Sequence, residues 1–216
     1  MSTFDDLNLS PSLRKSLAEL GFEIPTPIQE RTFSVAMSGR DVLGIAQTGT
    51  GKTLAYLLPC LRQWKYLKDR GPYLLVLVPT RELVDQVVRT VQDLAQYMQL
   101  KAVGVYGGTN IRTQMAEVAS GMDVLVATPG RLIDLALNGA IKLRNVKKLV
   151  IDEVDEMLNL GFRAALTSIF DLLPPKRQNL LFSATLPDIV EALMAEFFND
   201  PLRIEASPVG TPLENI

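Results

Sequence analysis

The sequence has 216 residues, enough for one α/β domain with a buried core. Hydrophobic residues make up 47% of it and charged residues 21%, which is typical of a globular protein, and the formal net charge is −2. This charge does not by itself indicate a nucleic-acid ligand, so any phosphate contact has to come from a local group of residues. The lack of histidine excludes a His-based catalytic triad, a His-ligated zinc site and a His general base.

The single cysteine and the N-terminal residues bear on the compartment. Cys60 cannot form a disulfide within the chain, and it lies in an apolar, helix-like stretch. Residues 1–6 lack the basic start and apolar core of a signal peptide, and apolar runs such as 74–78 are too short to cross a bilayer. We therefore expect a reducing, cytoplasmic location without a membrane association.

Helix and strand signals alternate along the chain. Ser10-Pro11 and Thr26-Pro27 each place a capping residue before a proline, and they predict two helices that end near Gly21 and Gly39. Mostly unbroken apolar runs predict strands buried on both faces, at 41–46, 74–79, 101–106, 123–128, 147–152, 178–183 and 202–205. Helix-like stretches separate them, at 53–68, 81–98, 110–120, 130–137, 155–172 and 187–198. This βα order predicts a parallel β-sheet of about seven strands with helices on both faces.

The run after the first strand predicts a phosphate-binding loop. It reads Ala46-Gln47-Thr48-Gly49-Thr50-Gly51-Lys52-Thr53. The glycines let backbone N–H groups turn toward a phosphate, Lys52 supplies positive charge, and Thr53 offers a hydroxyl to Mg²⁺. The next helix directs the positive end of its dipole at the same anion. Alanine stands at position 46 where the strict pattern has glycine, and a glycine-rich turn beside a surface lysine is the alternative.

Polar residues also follow other strands, where ligands of an open parallel sheet bind. The acidic run 152–155 follows one strand; one carboxylate there can hold Mg²⁺ while a second orients an attacking water, and an acidic helix cap is the alternative. Hydroxyl, glycine and arginine residues can contact a sugar-phosphate backbone without reading bases, or can serve as turn and cap residues. They occur in the runs 79–83, 107–108, 128–131 and 183–185.

Taken together, these motifs resemble the first RecA-like domain of DEAD-box RNA helicases, over nearly the whole chain. AQTGTGKT at 46–53 resembles motif I of that family, PTREL at 79–83 its motif Ia, and the glycine pair at 107–108 its glycine motif. TPGR at 128–131, the DExD element at 152–155 and SAT at 183–185 follow in the family's order. GFEIPTPIQ at 21–29, with Phe4 upstream, resembles the Q motif.

The resemblance implies ATP and Mg²⁺ as cofactors. Gln29 would pair with the adenine edge and Phe22 would pack on its face, while Phe4 and Thr26 belong to the same nucleotide-binding segment. Residues 46–53 would hold the phosphates through Ala46, Gln47, Thr48, Gly49, Thr50, Gly51, Lys52 and Thr53, with Lys52 at the outer charges. Thr53 and Asp152 would hold the magnesium, and Glu153 would position or activate water.

The resemblance also implies RNA as a partner that is bound through its backbone, independently of sequence. Ser183 and Thr185 would link the nucleotide site, through Asp155, to strand separation. The residues that would contact RNA are Pro79, Thr80, Arg81, Gly107, Gly108, Thr128 and Arg131. The implied activity is ATP hydrolysis coupled to local unwinding of RNA duplexes.

The chain departs from the family pattern at two points. Val154 stands where the family usually has alanine, and we expect its side chain to face the packed interior. Residues 1–206 read as one RecA-like domain and 207–216, rich in proline and glycine, as the start of a linker. The family's second RecA-like domain is absent from this sequence, so we expect the chain to be nearly inactive alone. We also expect it to be a monomer.

Two other functions are compatible with a phosphate loop. A GTPase needs an Asn-Lys-x-Asp run and a transporter ATPase a Leu-Ser-Gly-Gly run, and neither occurs. A catalytically silent RNA-binding or scaffold domain would be expected to have lost Lys52, Glu153 or Asp155, and all three are present.

Overall fold

The computed structural model describes residues 3–66 and 71–206. Within these ranges the chain forms a 3₁₀ turn at Phe4–Asp6, seven strands in one sheet, and nine α-helices. The strands are β1 (Val42–Ala46), β2 (Leu74–Leu77), β3 (Ala102–Val105), β4 (Val124–Ala127), β5 (Lys148–Ile151), β6 (Gln178–Ser183) and β7 (Leu202–Ala206). The helices are α1 (Pro11–Glu19), α2 (Pro27–Met37), α3 (Lys52–Gln63), α4 (Arg81–Leu94), α5 (Ile111–Ala119), α6 (Pro129–Leu137), α7 (Val154–Asn159), α8 (Arg163–Leu172) and α9 (Asp188–Phe197). No α-helix in this described part is long and apolar enough to cross a membrane.

The sheet confirms the predicted parallel α/β architecture. Its strand order is β3-β4-β2-β5-β6-β1-β7, and every pairing is parallel. The carboxyl ends of all strands therefore lie at one edge, where ligands of such sheets bind. The order also sorts the motifs: β5, β6 and β1 are neighbours and carry the acidic run, SAT and the phosphate loop. The other half, β3-β4-β2, carries the glycine pair, TPGR and PTREL.

A hydrophobic core covers each face of the sheet. Leu74 and Val76 of β2 belong to a cluster formed with helices α1 to α4, whereas Leu75 and Leu77 belong to a second cluster formed with α5 to α9. Because both faces are covered, both sets of alternating side chains must be apolar. This is the physical reason for the unbroken hydrophobic runs in the sequence.

Two predicted helices have different bounds in the structure. The stretch 155–172 forms two helices, α7 and α8, because Gly161 adopts a left-handed conformation with φ of 83° and ends the first of them. The stretch 53–68 is helical only to Gln63; Trp64 leaves the helix in an extended conformation, and its indole N–H donates to Asp123 Oδ1 at 3.2 Å. Residues 67–68 of that prediction, and the predicted linker 207–216, lie outside the described residues.

Gly44 in the middle of β1 makes room for an aromatic ring. A Cβ at this position would lie 2.5 Å from two carbons of the Phe182 ring on the neighbouring strand β6. The Phe182 ring packs in turn against Tyr56 of α3, with 5.4 Å between ring centroids. The glycine therefore lets α3, which follows the phosphate loop, sit closely on the sheet.

Candidate functional site

The segment between β1 and α3 presents its backbone at a helix N-terminus. Gly51 caps α3 with a left-handed φ of 89°, and a Cβ there would run into the amide of Gln29. Thr50 closes the loop on itself, because its hydroxyl donates to the carbonyl of Gln47 at 2.7 Å. Residues 47–49 are exposed. A glycine-rich loop at a helix N-terminus has the form of an anion-binding site, since free N–H groups and the helix dipole favour negative charge there.

Helix α2 is tied to this loop by two side chains at its start. Gln29, which is 5% exposed, accepts the Thr26 backbone N–H at 2.9 Å and donates through Nε2 to the carbonyl of Gly51 at 3.2 Å. The Thr26 hydroxyl donates to the carbonyl of Thr50 at 2.9 Å. Because a primary amide carries two N–H donors, Gln29 keeps one donor for a ligand while its other groups hold the loop.

Of the two aromatic residues expected at the nucleotide, the structure exposes one. Phe22 is 43% exposed, so its ring retains a free face for a planar ligand. Phe4 has a different position from the expected one: it is 4% exposed and lies in the core cluster on the α1–α4 face. Its backbone N–H donates to the carbonyl of Glu23 at 3.3 Å. Phe4 therefore supports the segment that carries Phe22 and does not offer its own ring to a ligand.

Lys52 and Asp152 are buried side chains of opposite charge beside the loop. Their exposed fractions are 6% and 7%. Burial raises the pKa of Asp152 to about 6, and the positive charge of Lys52 acts against that rise. The Lys52 ammonium forms no hydrogen bond or ion pair within 4 Å with other side chains of the described part. A buried cation without a direct partner is costly, so this site fits an anionic ligand.

The acidic run turns sharply after β5. Glu153 caps α7 with a φ of 53°, a left-handed conformation that is strained for a residue with a side chain, and its N–H donates to Asp152 Oδ1 at 3.0 Å. The turn leaves Glu153 half-buried at the sheet edge. Val154 is fully buried in the core cluster on the α5–α9 face. The expectation that Val154 faces the interior is confirmed.

Asp155 connects the acidic run to the residues after β6. Its Oδ2 accepts the Thr185 backbone N–H at 3.0 Å and the Thr185 hydroxyl at 2.8 Å. Burial acts to raise the pKa of Asp155, but the hydrogen bonds from Thr185 outweigh it and leave this pKa below its ordinary value. Ser183 is fully buried, and its hydroxyl has no hydrogen-bond partner among the residues described.

The other half of the sheet edge forms a rim of exposed backbone and one cation. Thr80 caps α4 by accepting the Leu83 N–H at 3.3 Å. The exposed Arg81 guanidinium lies 5.0 Å from the centre of the Tyr106 ring. Tyr106 leads directly into Gly107 and Gly108, which are exposed and have open space where a side chain would start. A backbone without side chains next to a cation is suited to contact a phosphate chain.

Arg131 is placed differently from the expectation that it holds RNA. Its side chain is 8% exposed; Nη1 donates to Gln114 Oε1 at 2.6 Å and Nη2 to the carbonyl of Thr109 at 3.0 Å. Through these bonds Arg131 holds the loop that follows the glycine pair, while its Nε lies 3.8 Å from Asp134 Oδ2 and has no hydrogen-bond partner among the described residues. Pro79 and Thr128 are also buried, which leaves Thr80, Arg81, Gly107 and Gly108 to form the accessible rim.

Comparison with known proteins assigns this arrangement to a family. A model of the DEAD/DEAH box helicase family matches residues 26–193, which include the phosphate loop, the acidic run and SAT. The chain belongs to this family.

Named relatives agree with this assignment. The chain is 43% identical over 203 residues to pre-mRNA-processing ATP-dependent RNA helicase prp-5 of Neurospora crassa, a match that covers 91% of this chain and 17% of the relative. It is 40% identical to DEAD-box ATP-dependent RNA helicase 24 of Oryza sativa, over 100% of this chain and 29% of the relative. It is 38% identical to DEAD-box ATP-dependent RNA helicase CshA of Geobacillus kaustophilus, over 98% of this chain and 46% of the relative. The chain thus spans less than half the length of these three relatives.

Sequence reasoning missed three side chains that shape this DEAD-box site. Gln114 holds Arg131, Tyr106 supports Arg81, and Tyr56 lies buried behind the phosphate loop. Of these three, Tyr56 could have been found from the sequence, because a residue three positions after Thr53 on a helix lies on the same face as Thr53. The positions of Gln114 and Tyr106 depend on how separate elements meet, which the sequence pattern does not specify.

The valine of the DEAD-box acidic run gives a prediction about packing. Because Val154 is fully buried, Val154→Ala removes two methyl groups from the core and is expected to lower the free energy of unfolding by about 1–2 kcal/mol. ATP affinity should stay within about twofold of wild type, because the side chain points away from the loop. Chemical denaturation and calorimetric titration measure the two quantities separately. A several-fold loss of affinity with unchanged stability would contradict the placement of Val154.

Proposed function

We propose that this chain is the ATP-binding and RNA-binding part of an ATP-dependent RNA helicase, which couples ATP hydrolysis to local separation of RNA duplexes. The observation that carries the proposal is the order of the strands. Strand β5, which ends in the acidic run, pairs with β2, which ends at Thr80 and Arg81. The predicted hydrolytic carboxylates and the predicted RNA rim are therefore neighbours on one sheet edge.

The nucleotide would be held by three kinds of contact. Backbone N–H groups of the loop and the buried charge of Lys52 stabilise the phosphates. The free donor of Gln29 and the exposed ring of Phe22 accept the adenine. Thr53 and Asp152 would hold Mg²⁺, which neutralises phosphate charge when bound. The buried carboxylate of Asp152 and the buried Lys52, which has no ion-pair partner within 4 Å among the described residues, fit a magnesium–nucleotide complex.

The link from hydrolysis to RNA would run through neighbouring turns. Glu153 positions the attacking water from its strained turn. Asp155, two residues later, accepts hydrogen bonds from Thr185, and through them movement at the phosphates would reach the segment after β6. The RNA backbone lies on the rim of Thr80, Arg81 and the glycine pair.

The complete activity would need more than this domain. In this proposal a second RecA-like domain supplies arginine side chains to the phosphates and the rest of the RNA site, and the helicase works as a cytoplasmic monomer. The length of the relatives and the two-domain arrangement implied by the family resemblance support the second domain.

The role of Gln29 tests the choice of base. Gln29→Ala is expected to weaken ATP binding about tenfold, because it removes the adenine contact and two bonds that hold the loop and Thr26. GTP binding should fall less, since guanine never used the adenine contact. The ratio of the ATP affinity to the GTP affinity should therefore fall toward one. Calorimetric titration of each nucleotide with Mg²⁺ measures this ratio.

A neighbouring substitution provides the control. Glu30 is exposed on the same turn of α2, and Glu30→Ala should leave both affinities unchanged. A parallel loss for ATP and GTP in Gln29→Ala, with the ratio preserved, would mean that Gln29 only holds the loop. Equal binding of ATP and GTP by the wild-type chain would refute the proposed ATP specificity itself.

A further inference from the structure

Tyr56 on helix α3 carries a buried hydroxyl that the proposed mechanism does not use. The residue is fully buried, and its ring packs 5.4 Å from the Phe182 ring. Among the described residues, no group has the distance and angle needed for a hydrogen bond with its hydroxyl. A buried polar group without a partner is unfavourable, and phenylalanine would fill the same space without that cost. Packing therefore explains the ring of Tyr56 but not its oxygen.

The position of Tyr56 shows what the hydroxyl faces. Tyr56 follows Lys52 by four residues and Thr53 by three, so all three lie on one side of α3. The Tyr56 ring packs on Phe182, and the pairing of Ile151 with Leu181 places Asp152, the next residue of that chain segment, beside Phe182 on the same face of the sheet. The hydroxyl is thus close to both Asp152 and Thr53, the two residues proposed to hold magnesium.

The Asp152 carboxylate accepts the Glu153 N–H through Oδ1 at 3.0 Å. Its other oxygen can accept a hydrogen bond from a second donor. A phenol can donate one hydrogen bond and accept another, so Tyr56 is able to donate to the Asp152 carboxylate while it accepts from the Thr53 hydroxyl. Groups behind a metal-binding side chain commonly fix its orientation in this way.

We propose that Tyr56 is a positioning residue of this site: its hydroxyl donates a hydrogen bond to the Asp152 carboxylate when magnesium and nucleotide bind, and so directs the carboxylate toward the metal. This inference rests on the proposed function, because it requires Asp152 and Thr53 to hold magnesium. The Phe182 ring, for which Gly44 leaves room, packs against the Tyr56 ring and restricts its movement.

The test compares two variants that lose the same atom. Tyr56→Phe removes the hydroxyl at the site. Tyr73→Phe removes it from a tyrosine that is 9% exposed and lies before β2, at the amino end of the sheet. For each protein, ATP binding is measured by calorimetry across a series of Mg²⁺ concentrations and also in EDTA, and the melting temperature is measured without ligand.

The expected result is selective for magnesium. In Tyr56→Phe, the Mg²⁺ concentration needed for half-maximal ATP affinity should rise about tenfold, as is found when a residue behind a metal ligand is removed. Affinity in EDTA should match wild type, the ligand-free melting temperature should equal or slightly exceed the wild-type value, and Tyr73→Phe should match wild type in the Mg²⁺ series.

Other results would contradict the role of Tyr56, and one of them would also contradict the proposed function. An unchanged Mg²⁺ requirement in Tyr56→Phe overturns the inference, whether or not the melting temperature changes. Equal loss of affinity with Mg²⁺ and in EDTA also overturns it, because the hydroxyl would then act on the loop and not on the metal. If the wild-type chain shows no Mg²⁺-dependent ATP binding at all, the proposed function fails as well.

Discussion

Lys52→Ala is expected to abolish most ATP binding while the domain stays folded. Lys52 is buried next to the phosphate loop and lacks an ion-pair partner among the described residues. Removal of this charge leaves the outer phosphates unpaired in a partly desolvated site, a loss on the order of 3 kcal/mol. This loss corresponds to about 100-fold in affinity, and we regard about tenfold as the smallest result that agrees with the assignment.

The same burial predicts the effect on stability. A buried charge without a partner is unfavourable in the ligand-free protein, so its removal should leave the melting temperature unchanged or raise it slightly. The exposed Lys65, just beyond the end of α3, provides the control, and Lys65→Ala should change neither quantity. Calorimetric titration with ATP and a thermal melt of each variant give the two readouts. Wild-type affinity in a folded Lys52→Ala protein would remove Lys52 from the phosphate site.

The sequence predicted the sheet well because its signals are local. Runs such as 74–78 are apolar at every position since both faces are covered, and the motif residues follow strands because parallel strands end at one edge. The break at Gly161 carried a local signal as well, since glycine commonly ends a helix. The prediction instead followed the helical spacing of apolar residues on both sides of Gly161 and gave one helix over 155–172.

The sequence could not specify how side chains from distant elements share their hydrogen-bond partners. An arginine after a strand suggests an exposed phosphate contact, yet Arg131 is enclosed because Gln114 and the Thr109 carbonyl meet its guanidinium. Gln29 was predicted as a reader of the base, and its second task of holding Gly51 depends on the approach of α2 to the loop. Phe4 is buried for a similar reason, because a cluster built from several helices encloses it. Such contacts depend on how elements distant in the sequence pack together, and the local sequence pattern does not specify that packing.

The chain alone is expected to bind nucleotide but to show only trace ATPase activity, without stimulation by RNA and without unwinding. Phosphoryl transfer requires positive charge at the developing transition state, and an arginine finger contributes about 10³-fold or more. In our proposal those arginines belong to the second RecA-like domain, while this domain contributes Lys52 and the magnesium site. Joining the protein's own second domain after residue 206 should therefore restore hydrolysis and its response to RNA.

RNA binding by this domain should be weak for a related reason. With Arg131 enclosed, Arg81 is the exposed cation that the described rim offers, beside the backbone of Gly107 and Gly108. Because salt sensitivity scales with the number of phosphates contacted, the affinity of the single domain should be low and should fall modestly as salt rises, whereas the joined protein should bind tightly with a steeper salt dependence. Phosphate release with and without RNA, and RNA titrations at several salt concentrations, measure these properties on both proteins. Robust RNA-stimulated turnover by the single domain would mean that its own residues supply the catalytic charges, and the two-domain mechanism would have to be abandoned.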